Sequence, residues 1–308
     1  AGAGRGPVTR HLLSLNGRLR GSGFVIDGKQ TASLQGADLP GLLLLFDRGS
    51  RPDREAVLDA VGRNERLFIA HDPFTAVSHG IDGRMVPGEE ECERGLAVLA
   101  DGLTFEILGL APGSPVQQAR IDHYLSLDRS DLEEVEALGI YPGSHIAEGA
   151  NALPVVRTML GLGADLAEAL GDVRAISWTP ARSAISVGFF QRSVAAWRAG
   201  GLFPTLGMVG IEFDQDDRLR TEGLSFLVGS ELVLAPELSA DQSAAIRLVL
   251  HIVHELVGTR LEHGRHRFAA KGIEDMELVL EPGSGWISVE PGRRQRTVAE
   301  PGSTTAAA

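Results

Sequence analysis

Side chains with metal-ligating or acid-base character crowd one short stretch of the chain: His251, His254, Glu255, Glu262, His263 and His266. Two histidines three residues apart stand side by side on a helix, and such a pair with a nearby carboxylate is the raw material of a zinc centre. The zincin arrangement nevertheless fails, because Gly258 occupies the position that a second histidine would take after His254-Glu255. The inverted arrangement would need glutamate at 254 and histidine at 255. On a helical wheel His251 and His254 fall with Ser243, Arg247 and Gly258, opposite the apolar stripe, so they are expected to face water or a partner. No catalytic residue, metal or cofactor is assigned on this basis. A metal-assisted hydrolase built on His251, His254, Glu255, His263 and His266 is the alternative reading.

The remaining candidates are weaker. Asp214, Asp216 and Asp217 resemble the start of a calcium loop but lack its glycine and distal glutamate, so a polar hairpin is expected. His71, Asp72 and His79 could exchange protons, yet no Gly-x-Ser-x-Gly elbow supplies a nucleophile, and Cys92, the sole cysteine, has no visible partner. Gly161-Leu-Gly163 lies inside a long apolar helix, where close packing explains it better than phosphate binding. Gly2-x-Gly4-x-Gly6 has neither the preceding strand nor the following helix of a dinucleotide fingerprint. Trp178, Trp197 and Trp286 are expected in the core.

These groups sit on elements that the pattern of apolar residues outlines. Thr205 to Phe213 is apolar at nearly every position and predicts a central strand, followed by a turn at Asp214-Gln-Asp-Asp217 and strands over 219–228 and 231–234. Ser239 with Gln242 predicts a capping box for a helix whose stripe is Ala245, Leu248, Val249, Ile252 and Leu256, closed at Gly258. Earlier, Gly41 to Phe46 predicts a buried strand and Pro52 with Asp53 and Glu55 a helix start. Arg66 to His71 and Leu103 to Leu110 predict strands. Helices are expected from Glu89 to about Ala100 and over 131–138, and a strand at His145 to Ala147. A long helix from Pro154 to Leu170, a strand from Val173 to Trp178, a helix from Ser186 to Ala199 and strands over 275–280 and 286–289 complete the pattern.

Runs of strands mixed with helices predict an α+β fold of two loosely similar halves, each a mostly antiparallel sheet with helices packed on one face. The expected divisions are a glycine-rich lead-in over 1–40, an N-terminal half over 41–143, a C-terminal half over 144–290 and a disordered tail over 291–308.

A chain of 308 residues with 43% hydrophobic composition can bury a substantial core. Its 29 basic and 41 acidic residues leave a formal charge of -12, which opposes docking on nucleic-acid phosphates or anionic lipid. A single cysteine excludes an internal disulfide and a cysteine-based zinc site. No signal-peptide core and no membrane-length apolar run are visible, so a cytoplasmic protein whose partner is another protein is expected.

The segment Arg220-Thr-Glu-Gly-Leu224, followed by Gly229-Ser-Glu-Leu232, the capped helix and Leu261-Glu-His-Gly264, resembles the bacterial domain of unknown function 4261 family. The positions that carry the likeness are Thr221, Gly223, Leu224, Gly229, Glu231 and Gly264. After Gly264 this chain has Arg265-His266 where the family tends to have a small acidic or hydroxyl pair. The resemblance implies a fold and a bacterial source, and no activity. With no complete catalytic motif, the expected function is a non-catalytic accessory factor, an adaptor or immunity-like protein that acts by binding another protein.

Overall fold

The computed structural model describes residues 39–73, 95–259, 261–269 and 276–292. Its first sheet contains β1 (Leu42–Asp47), β2 (Leu67–His71), β3 (Leu96–Ala100), β4 (Leu103–Leu108), β5 (His123–Leu125), β6 (Val135–Pro142), β7 (Val173–Trp178) and β8 (Ser183–Ser186). The strands lie in the order β2, β3, β4, β6, β1, β7, β8, β5. Its second sheet contains β9 (Gly210–Phe213), β10 (Leu219–Glu222), β11 (Glu231–Leu234), β12 (Gly264–Phe268), β13 (Met276–Leu280) and β14 (Trp286–Pro291), in the order β12, β13, β14, β11, β10, β9. The pairs β5/β8 and β11/β14 are parallel and the other neighbours antiparallel. The architecture is α+β, as the sequence predicts.

Why β1 is apolar from Leu42 to Phe46 follows from its place. Leu42, Leu44 and Phe46 point to the face covered by α1 (Arg54–Gly62), α2 (Leu153–Leu170) and α3 (Val187–Arg198). Leu43 and Leu45 point to the other face, where they meet Ala137, Tyr141 and Ala175 beneath Val116, Ile121, Leu127 and Leu132. Both faces are therefore dry, and each fully buried leucine contributes roughly 1.5–3 kcal/mol as an upper figure. Gly163 lets α2 settle onto β1, because a Cβ there would lie 2.2 Å from Leu42 Cδ2. This is the close packing that the sequence suggested, at Gly163; Gly161 faces the end of the Arg198 side chain instead.

On the second sheet, β10 leads through Gly223 into α4 (Leu224–Val228), and after β11 come α5 (Pro236–Ser239) and α6 (Gln242–Leu256). The predicted stripe of α6, Ala245, Leu248, Val249, Ile252 and Leu256, is buried, with Val253 added to it. It packs into the same continuous core as the helices of the first sheet.

Several expectations are corrected. Thr205 to Phe213 is not one strand: Thr205–Met208 is a kinked turn with Gly207 at φ +91°, and β9 begins only at Gly210. The apolar run is buried there by close approach to β8, since a Cβ on Gly207 would come 2.5 Å from Ile185 Cδ1. The expected strand over 219–228 stops at Glu222, because Gly223 takes φ +85° and starts a helix. Of the helix expected from Glu89 to about Ala100, residues 89–94 lie outside the described residues and Leu96–Ala100 form β3. Of the helix expected over 131–138, Asp131 and Leu132 end a 3-10 turn and Val135 opens β6, where cross-strand burial overrides the acidic start signal. His145 to Ala147 belongs to a 3-10 turn. Asp241, and not Ser239, caps α6, accepting from the Ala244 amide at 3.0 Å. Ser239 instead closes α5 and accepts from the Leu219 amide at 3.1 Å. Sheet membership changes between Ser186 and Gly210, so β7 and β8, placed by the sequence in the half beginning at 144, belong to the first sheet. The lead-in before Leu39, His79, Cys92 and the tail beyond Gly292 lie outside the described residues.

Candidate functional site

The segment from Arg220 to Leu232 folds into a hydrogen-bonded knot around Glu231. From β11 its carboxylate accepts from the Thr221 hydroxyl at 2.7 Å and from the amides of Gly223, Leu224 and Ser225 at 2.8, 3.2 and 3.0 Å. Those amides are the orphan donors at the start of α4, so the glutamate caps the helix from a neighbouring strand. Thr221 is buried, and its Oγ1 also accepts from the Leu232 amide at 2.8 Å. Gly223 is required twice over: its φ is +85°, and a Cβ would meet Ala181 Cα and the Pro180 oxygen at 2.7 Å. Leu224 is fully buried, and Gly229 takes φ +85° to end α4. Thr221, Gly223, Leu224, Gly229 and Glu231 thus act together on architecture, while Gly264 opens β12 at φ +132°.

The histidines do not converge. His251 is exposed and its Nδ1 donates to the Arg247 carbonyl oxygen at 2.8 Å, one turn back on α6. His254, expected on the outer face, is half-buried: its Nδ1 accepts from the Phe203 amide at 3.3 Å and ties the loop before β9 to α6. His266 Nε2 donates to the Glu262 carbonyl oxygen at 2.7 Å. Glu255 and His263 are exposed. Among the described residues no three His, Cys, Asp or Glu side chains form a group able to hold a metal ion.

The other candidates are likewise absorbed. Asp214 Oδ1 accepts from the Asp216 and Arg218 amides at 2.9 Å each, which makes the acidic trio a hairpin turn. Those backbone hydrogen bonds, that of Arg218 first, hold its carboxyl below the ordinary range. Asp72 is buried and engaged by Arg54, whose Nε lies 3.0 Å from Oδ1. Trp178 and Trp197 are buried, whereas Trp286 is 36% exposed with Arg220 standing 5.5 Å from its ring centre.

Two pairings escaped the sequence reading. At the seam between the sheets, His123 Nε2 lies 2.9 Å from Glu222 Oε2 on β10, and Arg182 bonds both Glu222 and, at 3.0 Å, Asp122. Gly210 leaves room for the imidazole, since a Cβ would lie 2.4 Å from it. Ser183, the register partner of His123, is 1% exposed and donates its hydroxyl to the Gly207 carbonyl oxygen, so no substrate reaches it. His123 and Glu222 are 99 residues apart, and no local pattern joins them.

Glu106, opposite Tyr141 on β4, is the second. Burial pushes its carboxyl above the ordinary range, against the pull of His145 and the Ser144 amide. The folded state therefore holds this proton more tightly than the unfolded chain, and stability is lost as pH rises through the native titration. Glu106→Gln, which keeps an acceptor for Ser144, is expected to lack this loss. Urea midpoints measured from about pH 5 to about pH 8 should rise for the variant relative to the parent, in the region above the ordinary carboxylate range.

No helix among the described residues is long and apolar enough to cross a membrane. No protein-family model, no curated protein and no solved structure matches the chain.

Proposed function

We propose that this is a non-catalytic protein that acts by docking another protein, as an adaptor or immunity-like accessory factor. What supports the reading is the loop over 200–208. Phe203 is buried edge-on against Trp197, with ring centres 5.2 Å apart, and its amide is held by His254. On either side of this anchor, Leu202 is 67% and Leu206 37% exposed. A loop fixed at its centre presents two large aliphatic side chains with little entropy left to lose on binding. Burying Leu202 against a partner would contribute on the order of 1–2 kcal/mol and Leu206, already mostly covered, on the order of half that. Kinship with the domain of unknown function 4261 family, a bacterial source and a cytoplasmic location belong to the same proposal, the first resting on the residues of the Glu231 knot.

The test is a pull-down from the native host with the parent chain and a Leu202→Asp, Leu206→Asp double variant of unchanged thermal midpoint. The expected result is a partner recovered by the parent and reduced on the order of tenfold or more with the variant. Equal recovery by both proteins, or nothing above background with either, would sink the reading.

A further inference from the structure

Beside α2 runs an open groove of about 590 Å³, whose lining includes Arg66, Asp101, Arg157, Thr158, Trp197 and Arg198. We propose that it binds a small organic anion, a carboxylate or phosphate group carried on a planar or apolar body. The inference does not depend on the docking role of the loop.

Charge is the first argument. Three guanidiniums meet there against Asp101 and, at the edge, Asp165, in a molecule whose formal charge is -12. The local sign is thus opposite to that of the whole, which favours an anion at this place and repels it elsewhere.

Preorganisation is the second. Arg157 Nη2 donates to the Arg198 and Trp197 carbonyl oxygens at 2.7 and 3.3 Å, and its guanidinium stands 5.6 Å from the Trp197 ring centre. Arg198 Nη1 lies 3.3 Å from Asp165 Oδ1, and Arg66 Nη2 is shared between the Asp101 oxygens at 2.7 and 2.9 Å. In each case one nitrogen fixes the group, leaving further N–H donors of the fork to meet a carboxylate or phosphate. Gly161 contributes space, because a Cβ would come within 3.2 Å of Arg198 Nη1.

The third argument is shape. The volume falls within the range of about 300–1,000 Å³ typical of small-molecule sites, and Leu153 and Pro154 give it apolar wall on which a ring or alkyl body can lie.

Calorimetric titration of the full chain with benzoate, phenyl phosphate, inorganic phosphate and benzyl alcohol tests this directly. Saturable one-to-one binding of benzoate or phenyl phosphate is expected, on the order of tenfold tighter than benzyl alcohol or inorganic phosphate. Preference between the two aromatic anions tells a carboxylate site from a phosphate site. Arg66→Gln and Arg198→Gln should each weaken binding by on the order of tenfold while leaving the unfolding midpoint of the free protein nearly unchanged. Absence of saturable binding by both aromatic anions overturns the proposal, as do equal affinity for benzyl alcohol and affinities unaltered in both folded variants.

Discussion

Glu231→Ala is expected to destabilise the protein by roughly 3–5 kcal/mol, because hydrogen bonds to an ionised acceptor are worth about 1.5–3 kcal/mol each and stranded donors add their own cost. The carboxylate serves the Thr221 hydroxyl and the amides of Gly223, Leu224 and Ser225 together. Ser225 is exposed and water can replace part of what it loses. Thr221 and Leu224 are buried, and water reaches them poorly. Glu231→Gln keeps one acceptor oxygen but turns an NH2 toward donors, so about half the loss is expected. Thr221→Val should cost less than Glu231→Ala, and the double variant should cost less than the sum, since one bond is removed by either change. Urea unfolding curves of the parent and the four variants read these differences directly. Additive losses would show that the knot is not a unit.

Gly223→Ala is expected to cost about 3 kcal/mol or more, and Gly229→Ala only about 1–2 kcal/mol, although both glycines have φ +85°. The shared backbone conformation sets the smaller figure. What separates them is space: around Gly229 nothing lies within 4 Å of a new Cβ, while at Gly223 backbone atoms of Pro180 and Ala181 stand at 2.7 Å. Backbone cannot rotate aside as a side chain tip can, so the turn before Arg182 must shift. Arg182 holds Glu222 and Asp122, and the seam between the sheets moves with it. Comparison of the thermal midpoints of the two variants measures the close approach alone, and equal losses would contradict it.

Where the chain announces its own local structure, sequence and coordinates agree. The apolar stripe of α6, the uniform leucines of β1 and the long α2 ended by Gly171 follow from periodicity and from the φ +79° that the glycine adopts. The differences arise where a distant partner decides. Thr205–Phe213 has the composition of a strand, yet Ser183 and Ile185 pull Gly207 into a turn. The acidic start at Asp131 looks helical in isolation, yet it yields only a 3-10 turn, and β1 and β4 recruit the residues from Val135 onward into β6. Site residues follow the same rule. The Thr221, Gly223 and Glu231 positions were visible as a motif, but their shared task needed the strand pairing that brings 231 beside 223. His254 has the wheel position of an outward residue, and only the folded loop carrying Phe203 turns it into an acceptor. Long-range contacts such as His123 with Glu222 leave no sequence trace at all.

Long-range proton–nitrogen NMR of the imidazoles, recorded at alkaline pH with and without zinc, tests most directly that the chemistry-bearing side chains are tied into the frame. The account predicts a proton on Nδ1 of His251 and on Nε2 of His254 and His266, as their backbone partners require, with no stoichiometric change when zinc is added. Saturation at one zinc per chain with joint shifts of these rings, abolished by His251→Ala with His254→Ala, would contradict it.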